Sequence, residues 1–313
     1  MLAHPSTSCR SFICRIVLAL LLIAAGELRA QTFIGNPNFQ LFNDVAYVPG
    51  GGPIQSGVRR EIMDIYKPIA ATGPLPVVLL IHGGGWNSGS LDGFIDTKGF
   101  LATGDYVVAA MNYRLNTPIE PLFQQVDDVK AAIRYLKANA ATFGLDGLRV
   151  ALYGQSAGAH LASLAALTSD VPFFGLSSDL ANQQNLGFTS NVRAVVDWAG
   201  PPVPPGSSSF YLAPYISPGD PAFKLFHSVN DSTVGISFVR QFRNDLVAGG
   251  LSASLTEITT GNHFPTTGEL NAAAPEMRSF LNAQLGVVPE PGPALLLGLG
   301  ALLLTGRRAR RCV

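Results

Sequence analysis

The sequence predicts an α/β domain in which a mostly parallel central sheet is flanked by helices. Short apolar runs alternate along the chain with longer segments of helical periodicity, which is the order of elements in such a sheet. Several of the apolar runs are continuous β-branched or aromatic stretches, as expected for strands buried on both faces. The chain has 313 residues, of which 47% are hydrophobic and 13% charged, so it is long enough for one large domain with a well-buried core.

Seven strands and five helices are predicted in the body of the chain. The strands are expected at 60–66, 77–81, 106–111, 149–153, 194–198, 224–229 and 254–258. The helices are expected at 93–102, 122–142, 157–167, 234–248 and 269–285. The helix over 122–142 has the clearest pattern, because its apolar residues recur at spacings of three and four. The proline-rich stretch 170–223 is the least regular, and we interpret much of it as loops or a small irregular cap.

The first 30 residues have the layout of a secretory signal peptide. A basic leader containing Arg10 and Arg15 precedes the apolar run 16–25 and a small-residue exit that ends at Ala30. An uncut membrane anchor is the alternative, but about 10 apolar residues fall short of the ~20 that span a bilayer. Both interpretations predict export.

A second terminal segment occupies residues 289–313. A Pro-Glu-Pro tripeptide at 289–291 precedes the apolar stretch 293–305 and a cluster of four arginines within 307–311. Prolines break a helix, the apolar stretch can enter a membrane, and the arginines prefer the cytoplasmic side. This end resembles a PEP-CTERM sorting tail, and a short tail anchor is the alternative. The resemblance implies transient membrane contact, export and exosortase-type sorting machinery as partners, and display of the body 31–288 at the cell surface or outside a Gram-negative bacterium.

The composition of the body excludes several classes of function. All three cysteines, Cys9, Cys14 and Cys312, lie in the terminal segments, so disulfides, cysteine–metal sites and a cysteine nucleophile are not expected between them. Seven of the 21 basic residues and one of the 21 acidic residues lie outside 31–290, which leaves 14 basic against 20 acidic residues. A mildly acidic body has no basic footprint for nucleic acid.

The pentapeptide Gly154-Gln155-Ser156-Ala157-Gly158 is the strongest chemical signal in the sequence. It directly follows one predicted strand and precedes a helix of small residues. A nucleophile at such a turn has strained backbone geometry, and glycines two positions before and after it let the strand and the helix approach without a clash. This context predicts Ser156 as a nucleophile.

A glycine-rich motif, His82-Gly83-Gly84-Gly85-Trp86, follows the predicted strand 77–81. Acyl transfer through a tetrahedral intermediate places negative charge on an oxygen, which requires backbone N–H donors already in position. Glycines present such donors without side chains in the way. We therefore predict an oxyanion hole formed by the N–H groups of Gly83, Gly84 and Ala157, with a plain tight turn as the alternative.

Five motifs occur in a chain order typical of one enzyme family. They are 82–86, 112–115 (Asn-Tyr-Arg-Leu), 127–129 (Asp-Asp-Val), 154–158, and Asp231 with Val234. Over about residues 42–285 the chain resembles α/β-hydrolase esterases, on the branch that includes hormone-sensitive-lipase-like and bacterial feruloyl-esterase-like enzymes. The resemblance implies the α/β-hydrolase fold, a Ser-His-Asp triad and no metal or cofactor. It also implies a carboxylic ester as substrate, and we expect a short-acyl or carbohydrate-linked ester, either a small molecule or part of a polysaccharide.

The resemblance sets the chain order of the triad as serine, acid, histidine. Asp231 follows the predicted strand 224–229, where the family places its acid, and is favoured over Asp197 and Asp220. His263 lies in the loop after the last strand and is the expected base. His227 is a poorer candidate because it precedes Asp231 inside a strand.

The sequence departs from the family pattern at four positions. Gln155 stands where an acidic residue is common, and Ala159 replaces a frequent glycine. Ser228 and Asn262 replace glycines close to the expected acid and base, which puts the geometry of both loops in question. No catalytic group is lost.

Two other functions are compatible with these residues. A serine peptidase of the same fold would use the same triad, although the triple glycine followed by Trp86 favours esters over amides. A surface-displayed, non-catalytic binding protein with a hydrolase-like fold is the other alternative. Such proteins usually lose a catalytic group, whereas candidates for all three remain in this chain.

Overall fold

The computed structural model of the protein describes residues 30–32, 38–93, 104–117, 122–169, 183–203 and 211–287. The expected sorting tail, nearly all of the expected signal peptide, most of the expected helix 93–102 and two parts of the expected cap lie outside these residues. Within them, no helix is both long enough and apolar enough to cross a membrane. No group of His, Cys, Asp and Glu side chains in the same residues is arranged to hold a metal ion.

A nine-stranded sheet forms the centre of the described fold. Its strands are β1 Ala30–Thr32, β2 Phe39–Ala46, β5 Ile62–Pro68, β6 Leu75–Ile81, β7 Val107–Met111, β8 Leu145–Gln155, β9 Ala194–Trp198, β10 Ala222–Ser228 and β11 Ala253–Ile258. A separate hairpin consists of β3 Ile54–Gln55 and β4 Val58–Arg59. The order in the large sheet is β1-β2-β5-β7-β6-β8-β9-β10-β11. The last six are mutually parallel, which confirms the mostly parallel sheet.

The seven strands from β5 to β11 were predicted, whereas β1, β2 and the small hairpin were not. In β2 the pairing register with β5 shifts between Phe42 and Val45. Asp44, within this bulge, has a positive φ of 52°. The bulge interrupts the alternation of buried and exposed residues by which a strand is recognised.

Five α-helices are described. They are α1 Leu122–Ala138, α2 Ala140–Phe143, α3 Ala157–Leu167, α4 Ile236–Ala248 and α5 Thr267–Leu285. Side chains of α1, α3 and α4 join the apolar core on one face of the sheet, and those of α5 join the core on the other face. The predicted arrangement of a sheet flanked by helices is therefore confirmed.

The predicted single helix over 122–142 is wrong in one respect, because the structure divides it into α1 and α2. Asn139, between them, has φ −108° and ψ 22°, outside the helical region. Its side-chain Nδ2 donates to the carbonyl oxygen of Tyr135 at 2.9 Å. A local side-chain hydrogen bond of this kind competes with the regular helix.

The parallel strands gather four loops at one edge of the sheet. The glycine motif follows β6, Ser156 follows β8, Asp231 follows β10, and His263 follows β11. Because parallel strands all point the same way, these loops leave the same edge of the sheet, where open α/β sheets form their sites.

Candidate active site

Ser156 lies at the turn between β8 and α3. Its backbone has φ 53° and ψ −122°, a conformation that side-chain-bearing residues rarely adopt. Its N–H donates to the carbonyl oxygen of Trp198 at 2.8 Å, which ties the turn to the end of β9. The neighbouring strand therefore holds the side chain in this strained position.

The glycines on either side of Ser156 have the steric role that the sequence analysis assigned to them. A Cβ on Gly154 would overlap the carbonyl oxygen of Gly158, and a Cβ on Gly158 would overlap that of Ile81. A side chain at either position would push β6, β8 and α3 apart. The sharp turn thus depends on both glycines.

Three of the predicted site residues form one hydrogen-bonded chain. Ser156 Oγ lies 2.7 Å from His263 Nε2, and His263 Nδ1 lies 2.8 Å from Asp231 Oδ2. All three residues are buried. A carboxylate only accepts hydrogen bonds, so the imidazole proton belongs on Nδ1, and Nε2 is left to accept from the serine hydroxyl.

Both oxygens of Asp231 are held in place. Oδ1 accepts from the backbone N–H groups of Thr233 and Val234, each at 2.8 Å. Oδ2 faces His263 and also lies 3.3 Å from Nε2 of His227. This carboxylate therefore cannot rotate freely, and its orientation fixes that of the His263 ring.

The two alternative acids are occupied elsewhere. Asp197 accepts from the N–H of Gly200 at 2.9 Å and from Oγ of Ser163 at 3.1 Å, and its complete burial raises its pKa to about 6. Asp220 accepts from the N–H of Ser217 at 2.7 Å within its own turn. In the structure, Asp231 is the acid that reaches His263.

Two of the departures from the family pattern connect the acid loop to the histidine loop. Ser228 Oγ donates to the carbonyl oxygens of Thr260 at 3.1 Å and Gly261 at 3.3 Å. Asn262 Oδ1 accepts from the N–H of Ser232 at 2.9 Å. These side chains supply contacts between the loops that glycine cannot make.

Glu269, which was not among the predicted site residues, fixes the histidine loop. Glu269 accepts from the hydroxyl of Thr260 at 2.8 Å and from the N–H of Thr266 at 2.7 Å, while the Thr266 side chain accepts from the N–H of Glu269. This reciprocal capping box begins α5 two residues before the predicted start. The pattern Thr-x-x-Glu was the signal that could have identified it.

The glycine motif lies directly against the nucleophile turn. A Cβ on Gly83 would lie 3.1 Å from Cβ of Ser156 and 2.9 Å from the carbonyl oxygen of Gln155, so only glycine fits comfortably. No described residue accepts a hydrogen bond from the N–H of Gly83 or Gly84. Ala157 is the first residue of α3, where the helix leaves its N–H groups without internal partners. These donors are available to a negatively charged oxygen near Ser156.

His82 braces the glycine motif. Its ring stacks on that of Tyr113, with 4.2 Å between centroids and 15° between planes, and the Tyr113 hydroxyl donates to the His82 carbonyl oxygen at 2.8 Å. His82 Nδ1 lies 2.7 Å from the Gly83 carbonyl oxygen. Burial lowers the pKa of His82 to about 4. It is therefore a neutral structural residue that donates to the motif.

Trp86 is held by two hydrogen bonds to its backbone and by one ring contact. Its carbonyl oxygen accepts from the N–H of Asn116 at 2.6 Å and from the side chain of Gln125 at 2.7 Å. Its ring meets that of His160 edge-on, at 5.6 Å between centroids. His160 is fully buried.

Comparisons with known proteins agree with this architecture. A family model described as BD-FAE matches residues 63–202. Carboxylesterase NlhH of Mycobacterium tuberculosis is 38% identical over 109 residues, which is 34% of this chain and 34% of its own length. The chain therefore spans about a third of the length of this curated relative.

Solved structures extend the similarity over most of the chain. A bifunctional GH43-CE protein of Bacteroides eggerthii is similar with a TM-score of 0.65 and 26% identity, over 78% of this chain and 38% of that one. Esterase 2 of the planctomycete Thermogutta terrifontis, with butyrate bound, is similar with a TM-score of 0.64 and 21% identity, over 82% of this chain and 97% of that one. The chain has the α/β-hydrolase fold.

The segment matched by the family model contains the glycine motif and Ser156 but ends before Asp231 and His263. The assignment of the acid and the base therefore depends on the distances in the structure. Those distances join both residues to the nucleophile through one ring.

Proposed function

We propose that the protein is a serine hydrolase that cleaves carboxylic esters. The observation that carries this proposal is the hydrogen-bonded chain from Ser156 through His263 to Asp231. Beside it lie the N–H groups of Gly83 and Gly84, from which no described residue accepts a hydrogen bond. A nucleophile, an oriented base and preorganised donors are the three components that acyl transfer requires. The carboxylesterase relative and the solved esterase structures support the same chemistry.

The reaction begins with attack of Ser156 Oγ on the ester carbonyl carbon. His263 Nε2 takes the hydroxyl proton, and Asp231 stabilises the resulting imidazolium through Nδ1. The carbonyl oxygen becomes negatively charged and accepts from the N–H groups of Gly83, Gly84 and Ala157. His263 then returns the proton to the leaving alcohol, and the acyl group remains on Ser156.

Water completes the cycle through the same groups. His263 takes a proton from water as it attacks the acyl-enzyme, and the same N–H donors stabilise the second tetrahedral intermediate. Ser156 leaves with the proton from His263, and the carboxylic acid is released.

We further propose short-acyl or carbohydrate-linked esters as the substrate class. The Thermogutta esterase was solved with butyrate bound, which supports a small acyl group. The ring of Phe264 packs edge-on against that of His263 at 5.1 Å and is 65% exposed, so it can contact a substrate ring or chain at the mouth of the site. The expected export of the chain supports an ester carried on an exported polysaccharide.

The location proposed for this activity is the cell surface or the extracellular space of a Gram-negative bacterium. The leader-like segment 1–30 and the PEP-CTERM-like segment 289–313 support this proposal. We propose that export and exosortase-type sorting machinery act on these segments, with a transient membrane contact through the second one.

Hydrolysis of p-nitrophenyl acetate, butyrate and octanoate by the purified full-length protein tests the proposed function. The expected result is turnover that falls to background in Ser156→Ala, with acetate or butyrate preferred over octanoate. Labelling of the wild-type protein, but not of Ser156→Ala, by a fluorophosphonate is expected in parallel. Hydrolysis of dipeptide amides in place of esters would identify a peptidase, and a folded protein with neither labelling nor turnover would identify a binding protein.

A further inference from the structure

Arg60, between β4 and β5, is a buried cation without a carboxylate partner among the described residues. Its side chain is 1% exposed, and its two terminal nitrogens donate to the carbonyl oxygens of Gln55 and Gly89, each at 2.9 Å. Its Nε has no acceptor in the described part of the chain. Arg114, another buried arginine nearby, is instead paired with Asp128 and lies 3.6 Å from Glu61.

A buried charge without a partner is costly to keep. Burial lowers the pKa of Arg60, which reflects the unfavourable loss of water around the guanidinium. Even a buried charge that has an ionic partner can often be replaced, together with that partner, by apolar side chains without loss of stability. Its presence therefore suggests a use other than stability.

The guanidinium binds the far end of the loop 82–89, which begins with the glycine motif and is called the glycine loop below. Gly89, whose carbonyl oxygen it binds, has φ +94°. A Cβ on Gly89 would lie 2.5 Å from the carbonyl oxygen of Gly83 and 2.7 Å from Nδ1 of His82, so the Gly89 backbone packs against both residues. The segment that Arg60 binds thus lies directly behind the proposed oxyanion donors.

The position of the Gly83 carbonyl decides where one of these donors points. His82 Nδ1 donates to that carbonyl at 2.7 Å, and Gly89 packs against it. In a trans peptide the C=O and the following N–H point in opposite directions. Fixing the Gly83 carbonyl toward His82 therefore directs the N–H of Gly84 the other way.

The charge of Arg60 also reaches this loop. It is one cause of the lowered pKa of His82, after burial. A positive charge with no carboxylate to neutralise it remains available to stabilise negative charge that develops nearby during a reaction.

We propose that Arg60 is a positioning residue of the oxyanion hole, which holds Gly89 against Gly83 and whose uncompensated charge favours the negatively charged tetrahedral intermediate. This inference rests on the proposed ester hydrolysis at Ser156. It differs from the triad in that Arg60 touches no reacting atom and acts through the backbone of the loop.

Kinetics of Arg60→Met and Arg60→Lys test the proposal, with Arg59→Met as the matched control. Arg59 is the residue before Arg60, at the end of β4, and also donates to two carbonyl oxygens, those of Gly50 and Gly52. It is exposed and makes no hydrogen bond to the glycine loop among the described residues. We expect kcat for p-nitrophenyl butyrate to fall by about tenfold or more in Arg60→Met with KM little changed, because the interaction strengthens only in the transition state. Arg60→Lys, which keeps the charge, is expected to retain more of kcat, and Arg59→Met all of it.

The result that would overturn the proposal is a folded Arg60→Met with unchanged kcat, or a loss of activity that appears equally in Arg59→Met. A rise in KM with no change in kcat would also contradict it, because only uniform substrate binding would then have been lost. The rate of fluorophosphonate labelling is expected to decrease together with kcat, since phosphonylation of Ser156 also places negative charge in the oxyanion hole.

A measurement independent of activity separates this proposal from the proposed function. Titration of the histidine ring signals by NMR is expected to show a higher pKa for His82 in Arg60→Met, because a nearby positive charge has been removed. Arg59→Met is expected to leave that pKa unchanged. An unchanged pKa of His82 in Arg60→Met would contradict the electrostatic part of the proposal, even if the wild-type protein hydrolyses no ester. If Arg60→Met does not fold, the same titration and kinetics in Arg60→Lys decide. Because lysine keeps the positive charge, a folded Arg60→Lys that retained neither kcat nor the wild-type pKa of His82 would overturn the proposal.

Discussion

The side chain of Asn262 joins the histidine loop to the acid loop, because its Oδ1 accepts from the N–H of Ser232 at 2.9 Å. The same oxygen accepts from the N–H of His263 at 2.8 Å. Asn262, at a position where similar esterases usually have glycine, therefore holds the backbone of His263 in place. Ser228, in the acid loop, also joins the two loops, because its hydroxyl donates to the carbonyl oxygens of Thr260 and Gly261.

We expect Asn262→Gly to reduce both stability and turnover. Loss of these hydrogen bonds is expected to lower the free energy of unfolding by about 1–2 kcal/mol. We expect kcat to fall by about tenfold, because a small displacement of a catalytic group is costly to the rate. Urea unfolding and p-nitrophenyl butyrate kinetics measure the two effects. The exposed Asn230, whose side chain also bonds across to this loop at Thr259, provides the control Asn230→Gly, which should leave kcat close to wild type.

The turn at Ser156 predicts a strong effect of one added methyl group. In Gly158→Ala the new Cβ would overlap the carbonyl oxygen of Ile81, so α3 must move away from β6. Overpacking of this kind is expected to destabilise the fold by about 3 kcal/mol and to lower kcat with it. Gly73→Ala is the control, since nothing lies within 4 Å of a Cβ there. Equal unfolding midpoints for the two variants would contradict the steric account of the turn.

The parts of the site that depend on local geometry could be predicted from the sequence. Glycines at positions 154 and 158 around Ser156 indicate a strand, a sharp turn and a helix, and the structure has all three. Asp231 and His263 could be chosen because they follow successive strands of a parallel sheet. Their distances to Ser156 could not be read from the pattern, since they depend on how the sheet brings separate loops together.

The parts that depend on distant contacts were not predictable. Tyr113 stacks on His82, and Arg60 binds Gly89, across 31 and 29 positions of sequence respectively. An isolated arginine or tyrosine has no local pattern that identifies its partner. The departure at Asn262 was visible in the sequence, but its cross-loop hydrogen bonds became apparent only in the folded chain.

The acid of the triad is tested by comparing Asp231→Asn with Asp197→Asn. An amide at 231 can donate to His263 Nδ1, which disturbs the tautomer that lets Nε2 accept the serine proton, so kcat is expected to fall on the order of 10³–10⁴-fold. Asp197 contacts Gly200 and Ser163 instead, and its amide variant is expected to keep nearly wild-type kcat. A larger loss of kcat in Asp197→Asn than in Asp231→Asn would reverse the assignment.

The buried carboxyl of Asp197 also predicts a pH dependence of stability. Burial raises its pKa from 3.8 to about 6 in the folded protein. Between these values the unfolded chain has released this proton while the folded chain still binds it, so the free energy of unfolding falls as pH rises from about 4 to about 6. The size of the fall is about 3 kcal/mol, as an order of magnitude, because one pKa unit corresponds to about 1.4 kcal/mol.

Chemical unfolding of wild type and Asp197→Asn at a series of pH values from about 4 to about 7 measures this effect as a difference. The difference is needed because other groups titrate in the same range: the pKa of Asp64 is also raised to about 6 by burial, whereas that of His82 is lowered to about 4 and acts in the opposite sense. Asp197→Asn is expected to gain stability relative to wild type as pH rises through this window and to hold a constant advantage above it. Asp146→Asn is the control: hydrogen bonds from Leu148 and Arg149 outweigh its partial burial and hold the pKa of Asp146 below its ordinary value of 3.8, so this carboxyl is ionised in both the folded and the unfolded chain over most of this range, and the variant should differ from wild type by a nearly constant free energy. Parallel curves for wild type and Asp197→Asn would mean that this carboxyl titrates normally and is hydrated in the folded protein.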